Sequence, residues 1–458
     1  MAERNHAQQI TEGVIWKQLL IFFFPILLGT FFQQMYNTVD TIIVGRFVGT
    51  SGLAAVGATS SLINLINGFF IGLSTGSSVV VSQFYGAGDR TGVSRSMQTN
   101  AVLAAILGLT AVTVGVLGGP DLLVLIQTPE SCLDDATAYT RIYFLGALGT
   151  VIYNMGSGIL RAMGDSKRPL YFLIATCFTN IVLDLFFVVV LKMGIEGAAY
   201  ATVLSQYISA ALVILSLCRL PADIRLQLRK LRIDPALLGR ILIIGLPAGL
   251  QFVTFDLSNL LIQSGINSFG ETTVAAWAAF FKADGLTWMV SGAFGVAITT
   301  FVGQNFGAQK YDRIRKSVWT CLGMSIATQM LISICTLSFR EFILGIFTTD
   351  ADVIRVGAYA MLLIVPFNAL FMFVEVLAGT MRGTGCSTLP TAITGTCVCL
   401  FRVLWMLLIV SRWHTIEVLC ITYPLSWILA SVVFMVTYLR GNWLRKRIEA
   451  CGMTPEVR

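Results

Sequence analysis

Gln83-Phe84-Tyr85-Gly86-Ala87 returns 221 positions later as Gln304-Asn305-Phe306-Gly307-Ala308. The same offset carries Arg161, Gly164, Ser166 and Pro169 onto Arg382, Gly385, Ser387 and Pro390, then Ile195-Glu196 onto Ile416-Glu417 and Ser205 onto Ser426. One offset held over more than a hundred residues is poorly explained by chance. The chain around these matches is 56% hydrophobic. A duplicated hydrophobic half is a common plan of membrane transporters, with cargo bound within or between the halves.

Composition points the same way. Only 12% of the 458 residues are charged, where soluble chains carry about 25%, and the mean hydropathy is +0.79. A helix needs roughly 20 apolar residues to cross a bilayer. About twelve such runs can be read, near 17–45, 53–83, 93–119, 136–162, 169–191, 194–218, 237–267, 273–304, 314–338, 353–380, 389–411 and 415–440. They are continuously apolar rather than alternating, which favours helices over barrel strands. The first run is too long for a cleavable leader and lacks a small-residue cleavage site.

The net charge of +7 is topological. Basic residues gather in alternate loops: Arg90 and Arg95; Arg161, Lys167 and Arg168; Arg219 to Arg232; Lys310 to Lys316; and the tail from Arg440 to Arg447. The opposite loops hold acids such as Asp121, Glu130, Asp134, Asp135, Asp350 and Asp352. This positive-inside bias predicts cytoplasmic termini, and it removes nucleic acid as the reason for the basic balance. The polar stretch from Arg219 to Asp234 then divides the chain into a six-helix lobe at 12–218, a basic connector at 219–235 and a second six-helix lobe at 236–445. Six is even, so the repeats are parallel rather than inverted.

Several chemistries find no residues. Gly72-Leu-Ser74-Thr-Gly76 matches a hydrolase nucleophile elbow but lies inside an apolar helix, where it reads as a helix-packing face. The histidines, His6 and His414, are too few and too far apart for a conventional zinc site. No phosphate-binding Gly-Lys-Ser/Thr loop occurs, so an ion gradient or a partner subunit must drive transport. The ten cysteines fall mostly in apolar runs and read as small core residues, with Cys132 alone in an outer loop. No catalytic residues and no cofactor are expected.

Ionisable residues in apolar runs are the sharp signals, because each costs roughly 2.5–3.5 kcal/mol at a helix centre. The first run contains Gln33-Gln34-Met35-Tyr36-Asn37-Thr38-Val39-Asp40, where helical spacing puts Tyr36, Asn37 and Asp40 on one stripe. The fifth has Asn180 and Asp184 one turn apart, and the sixth Thr202 and Gln206. Carboxylates, an amide oxygen and a hydroxyl suit a hard cation or a proton. Interhelical hydrogen bonding is the competing reading. The second half does not repeat these acids, and has Asp256, Lys282, Asp284 and Glu375 instead, for which ion pairing competes with a transport role. Arg141, Arg355 and Arg402 are expected near helix ends, snorkelling or paired.

Taken together, these residues resemble the multidrug and toxic compound extrusion (MATE) family, within a superfamily that includes flippases. The likeness lies in the parallel lobes, Asp40, the Asn180/Asp184 pair, the Gln-x-Tyr/Phe-Gly-Ala helix ends and the Arg-x-x-Gly-x-Ser-x-x-Pro loops. It implies a monomeric plasma-membrane antiporter, not an enzyme, that exports organic, often cationic or amphiphilic compounds in exchange for Na⁺ or H⁺. It further implies that Asp40, Asn180, Asp184 and Thr202 form an ion site able to take Na⁺. Gln34, Tyr36, Asn37, Asn154 and Gln206 are expected to line the same lobe's cavity. Another branch uses acids of the second lobe, in the helices that here hold Asp256 and Glu375. The alternatives are a flippase of lipid-linked oligosaccharides in the same superfamily, or a membrane-embedded enzyme.

Overall fold

The computed structural model describes residues 10–125 and 128–450. His6 and Cys451 lie outside them. All regular structure among the described residues is helical. In the first half the helices are α1 (Ile15–Phe47), α2 (Thr50–Gly86), α3 (Arg90–Leu125), α4 (Glu130–Leu145), α5 (Ala147–Ala162), α6 (Lys167–Asp184) and α7 (Gly194–Cys218). In the second they are α8 (Pro235–Asn267), α9 (Glu271–Ala283), α10 (Gly285–Gly307), α11 (Tyr311–Ser338), α12 (Arg340–Gly345), α13 (Ala351–Ile364), α14 (Asn368–Gly383), α15 (Thr388–Thr394), α16 (Phe401–Trp405) and α17 (Ile416–Arg440). A short basic helix, α18 (Trp443–Ala450), follows.

Among the described residues, eleven stretches are long and apolar enough to span a membrane, and α4 with α5, bent by 44°, makes a twelfth. They match the twelve expected runs closely. Large apolar side chains such as Ile243, Leu331, Ile334, Leu407 and Val432 stand exposed along them. Water would penalise such a surface, whereas a bilayer accepts it. Cys335 belongs to this exposed set, which corrects its expected place in the core; Cys132 is buried, as are Cys397 and Cys399.

The backbone repeats with the sequence. Left-handed residues occur at Gly49 and Gly270, at Gly88 and Gln309, and at Gly164 and Gly385, each pair 221 apart. Gly164 and Gly385 have φ of 91° and 88° just past the ends of α5 and α14. That conformation closes a helix, and glycine adopts it without a Cβ clash. The Arg-x-x-Gly-x-Ser-x-x-Pro loop is thus a helix stop written twice. π-helical turns also recur, at Leu185–Val190 after α6 and at Met406–Val410 after α16.

Two compact units form. One is Phe24–Gly249, and the other is Thr11–Phe23 together with the residues from Leu250 onward. The division therefore falls inside α1 and α8, within two residues of Pro25 and Pro247. In the first unit, Gly72 and Gly76 of α2 meet the Gly245 and Gly249 backbone of α8 so closely that a Cβ on either would strike main-chain atoms. The apparent nucleophile elbow is this helix-packing face. The connector docks on the same unit. Arg90 pairs with Asp223 and Arg95 with Asp234, and Ile224 and Leu226 are buried in a cluster with Val93 and Met97. In the second unit, residues 11–23 are held by the Lys310 Nζ bond to the Thr11 carbonyl (2.9 Å), by Arg313 Nη2 to Glu12 O (2.9 Å), and by stacking of Phe23 on Phe294 (4.1 Å).

Candidate functional site

Three helices of the first unit bring their polar residues to one depth. At 1.5 Å per residue, Asp40 lies roughly 10 Å inside the end of α1, Asp184 roughly 9 Å before the end of its span, and Thr202 roughly 12 Å after the start of α7. All are ends remote from the basic loops. Asp40, Asn180, Asp184, Thr202 and Gln206 are all buried, Asn180 and Asp184 completely. The two carboxylates lie within Coulombic range of each other. Asp40 Oδ1, both Asp184 oxygens and both polar atoms of the Asn180 side chain have no hydrogen-bond partner. Interiors rarely leave so many polar atoms unpaired, because desolvating each costs free energy that no bond returns. A small cation or a proton would satisfy the four oxygens.

The local fold explains the convergence. Asp184 stands where α6 gives way to π-helical turns, a break that often accompanies functional sites. Gly146, at the bend between α4 and α5, leaves room for the Gln206 amide; a Cβ there would collide with Gln206 Oε1. The bend carries two residues that sequence reading missed. Tyr139 lies within electrostatic range of both Asp40 and Asp184, and Tyr143, stacked on it at 6.1 Å, accepts a 3.2 Å hydrogen bond from Asn67 Nδ2. Tyr139 and Tyr143 are one turn apart, so the same i, i+4 spacing that marks Tyr36 and Asp40 would have found them. Tyr36 and Asn154 are half-buried, and Gln34 and Asn37 exposed.

The acids of the second unit are dispersed. Asp284, between α9 and α10, is buried and accepts a 2.9 Å bond from Asn368 Nδ2; Thr287 joins the network by accepting from Gln329 Nε2 at 3.0 Å. Glu375 forms an ion pair with Arg382 (3.5 Å). Asp256 is half-buried and Lys282 exposed. These four make no shared cluster, and among the described residues no group of three or more His, Cys, Asp or Glu side chains is placed to hold a metal. Arg141 is exposed and Arg355 pairs with Asp352 at 2.9 Å. Arg402 departs from expectation. It neither snorkels nor pairs with an acid but lies fully buried, under aromatic rings.

Comparison with known proteins now decides the family. A family model described as MatE matches residues 25–186 and 247–407, one copy in each half. The chain belongs to the MatE family. Its members are membrane transporters rather than enzymes. The chain is 27% identical over 456 residues to "Probable multidrug resistance protein YoeA" of Bacillus subtilis, covering 96% of this chain and 97% of that one. It is 29% identical over 389 residues to "Probable multidrug resistance protein YpnP" of the same organism, covering 83% and 85%. A solved outward-facing multidrug resistance MATE transporter shares the fold at a TM-score of 0.87, with 22% identity over 98% of this chain and 99% of that one. This MatE chain is therefore a multi-pass membrane transporter whose duplicated family domain coincides with its sequence repeat.

Proposed function

We propose that this MatE chain is a secondary multidrug exporter that couples efflux of organic, often cationic compounds to Na⁺ or H⁺ entry through Asp40 and Asp184. The observation that carries the reading is the pair of buried carboxylates without hydrogen-bond partners, beside Asn180 and within range of Tyr139. Two such groups in a low-dielectric interior cannot both remain charged unless a cation or proton joins them. Loading the pair from outside and emptying it inside gives the gradient a handle on the helix face of α1, which also carries Tyr36 and Asn37. Cargo and ion then compete for one face, and alternating access turns that competition into antiport. The relatives' names support multidrug cargo. The basic loops support both termini lying in the cytoplasm, and the family resemblance supports a monomer in the plasma membrane.

The test is flux in proteoliposomes, with Na⁺ and pH gradients imposed separately and a panel of organic cations as cargo. Efflux should follow one of the two gradients and collapse when that gradient is dissipated. Equal efflux with neither gradient would rule out secondary coupling.

A further inference from the structure

The second unit contains a buried cation that pairs with no acid among the described residues. Arg402 lies in α16, between the π-helical turns Gly395–Leu400 and Met406–Val410, and is 1% exposed. Its guanidinium carbon is 4.3 Å from the Tyr423 ring centre, 5.7 Å from that of Trp427 and 5.8 Å from that of Phe255. Nε donates to Ser426 Oγ at 2.9 Å, and that hydroxyl is in turn directed at the Tyr423 carbonyl. Nη2 is sealed from solvent without a partner, and so is Nε1 of Trp427, itself 1% exposed. Asp256, next to Phe255 in sequence, forms no ion pair with Arg402, and Glu375 is engaged by Arg382.

Aromatic faces offset part of the cost of burying a guanidinium, but a ring face does not replace an acceptor for an N–H aimed past it. What remains open in this cluster is a positive charge and two donors. The repeat makes the pattern more pointed. Tyr423, Ser426 and Trp427 occupy the positions of Thr202, Ser205 and Gln206, and Arg402 stands one helical turn from the counterpart of Asp184. The first unit presents unpaired carboxylate oxygens there, and the second presents unpaired donors.

We propose that Arg402 Nη2 and Trp427 Nε1 form an anion site inside the second unit, taking chloride or the carboxylate of an organic cargo. A desolvated anion there would neutralise the guanidinium and accept both free N–H groups. The π-helical turns on either side of Arg402 are where the helix can yield to admit it.

Binding can be read without transport, so its failure would leave the coupling role of Asp40 and Asp184 untouched. The purified protein, in sodium isethionate at constant ionic strength, is titrated with chloride in one arm. In the other it is titrated with benzoate, against benzamide as the uncharged control. The readout is the unfolding temperature, which rises with any ligand that binds only the folded state. At least one arm should give a saturable rise that Arg402→Gln abolishes and Arg402→Lys partly keeps. A chloride response identifies an inorganic anion; a response to benzoate alone identifies a cargo carboxylate. Trp427→Phe keeps the charge and removes one donor, and should shift half-saturation several-fold upward, which keeps the proposal testable if Arg402→Gln does not fold. Wild type and Arg402→Gln responding alike in both arms, or a flat wild type in both, would overturn it.

Discussion

Asp40 and Asp184 lie in helices where each carboxylate costs roughly 2.5–3.5 kcal/mol if left charged and alone. Interhelical hydrogen bonding would account for them, yet Asp40 Oδ1 and both Asp184 oxygens have no partner. Tyr139 gives a sensitive probe, because its hydroxyl is within range of both acids. Tyr139→Phe should preserve folding and raise the ion concentration for half-maximal efflux several-fold. An unchanged ion dependence would remove Tyr139 from the site. Glu375 tests the other half. Its loss in Glu375→Gln leaves Arg382 without its counter-charge, so thermal unfolding should show a destabilisation of about 1–3 kcal/mol, between the exposed and buried limits for such pairs. The identity of the coupling ion should not change. Arg402 shows why sequence reading fails at this scale: an arginine in an apolar run normally snorkels, and only the placement of Phe255, Tyr423 and Trp427 reveals that this one is enclosed.

At the scale of helices, close backbone packing and docked loops set the framework. A Cβ at position 76 would strike the Ile241 carbonyl oxygen and the Gly245 backbone, neither of which can rotate away. Gly76→Ala should therefore force α2 and α8 apart and cost about 1–3 kcal/mol, read from thermal unfolding. The connector is held by Arg90 to Asp223 and Arg95 to Asp234, and these bonds draw both carboxyls below the usual aspartate range. A lowered folded-state value contributes stability above the unfolded value, near 4, that is lost as pH falls through the folded one. Hydrogen exchange of residues 219–234 should thus stay protected at neutral pH and rise only in acid below about pH 4; protection that persists there would assign the docking to Ile224 and Leu226 alone. The helices themselves were legible, because continuous apolar runs bounded by charged loops leave few alternatives in a bilayer. The bend at Gly146 was not, since it makes room for Gln206, which is distant in sequence.

At the scale of the molecule, the repeat at offset 221 was readable because duplication preserves helix stops, and Gly164 and Gly385 keep the same left-handed backbone. The division of α1 and α8 at Phe24 and Leu250 was not readable, since no loop marks it. If the two halves alternate around their cargo, spin labels placed on each should show two distance patterns that interchange with ion and cargo; one invariant pattern would contradict alternating access. The coupling pair remains the centre of the account. Its most direct test is gradient-driven efflux from proteoliposomes containing wild type, Asp40→Asn, Asp184→Asn or the double variant. Each single change should abolish the response to the gradient while leaving the protein folded, and the double change should be little worse, because the two carboxylates act as one unit. Gradient-driven efflux at the wild-type rate in both single variants would contradict the account and move the coupling site to Asp256, Asp284 and Glu375.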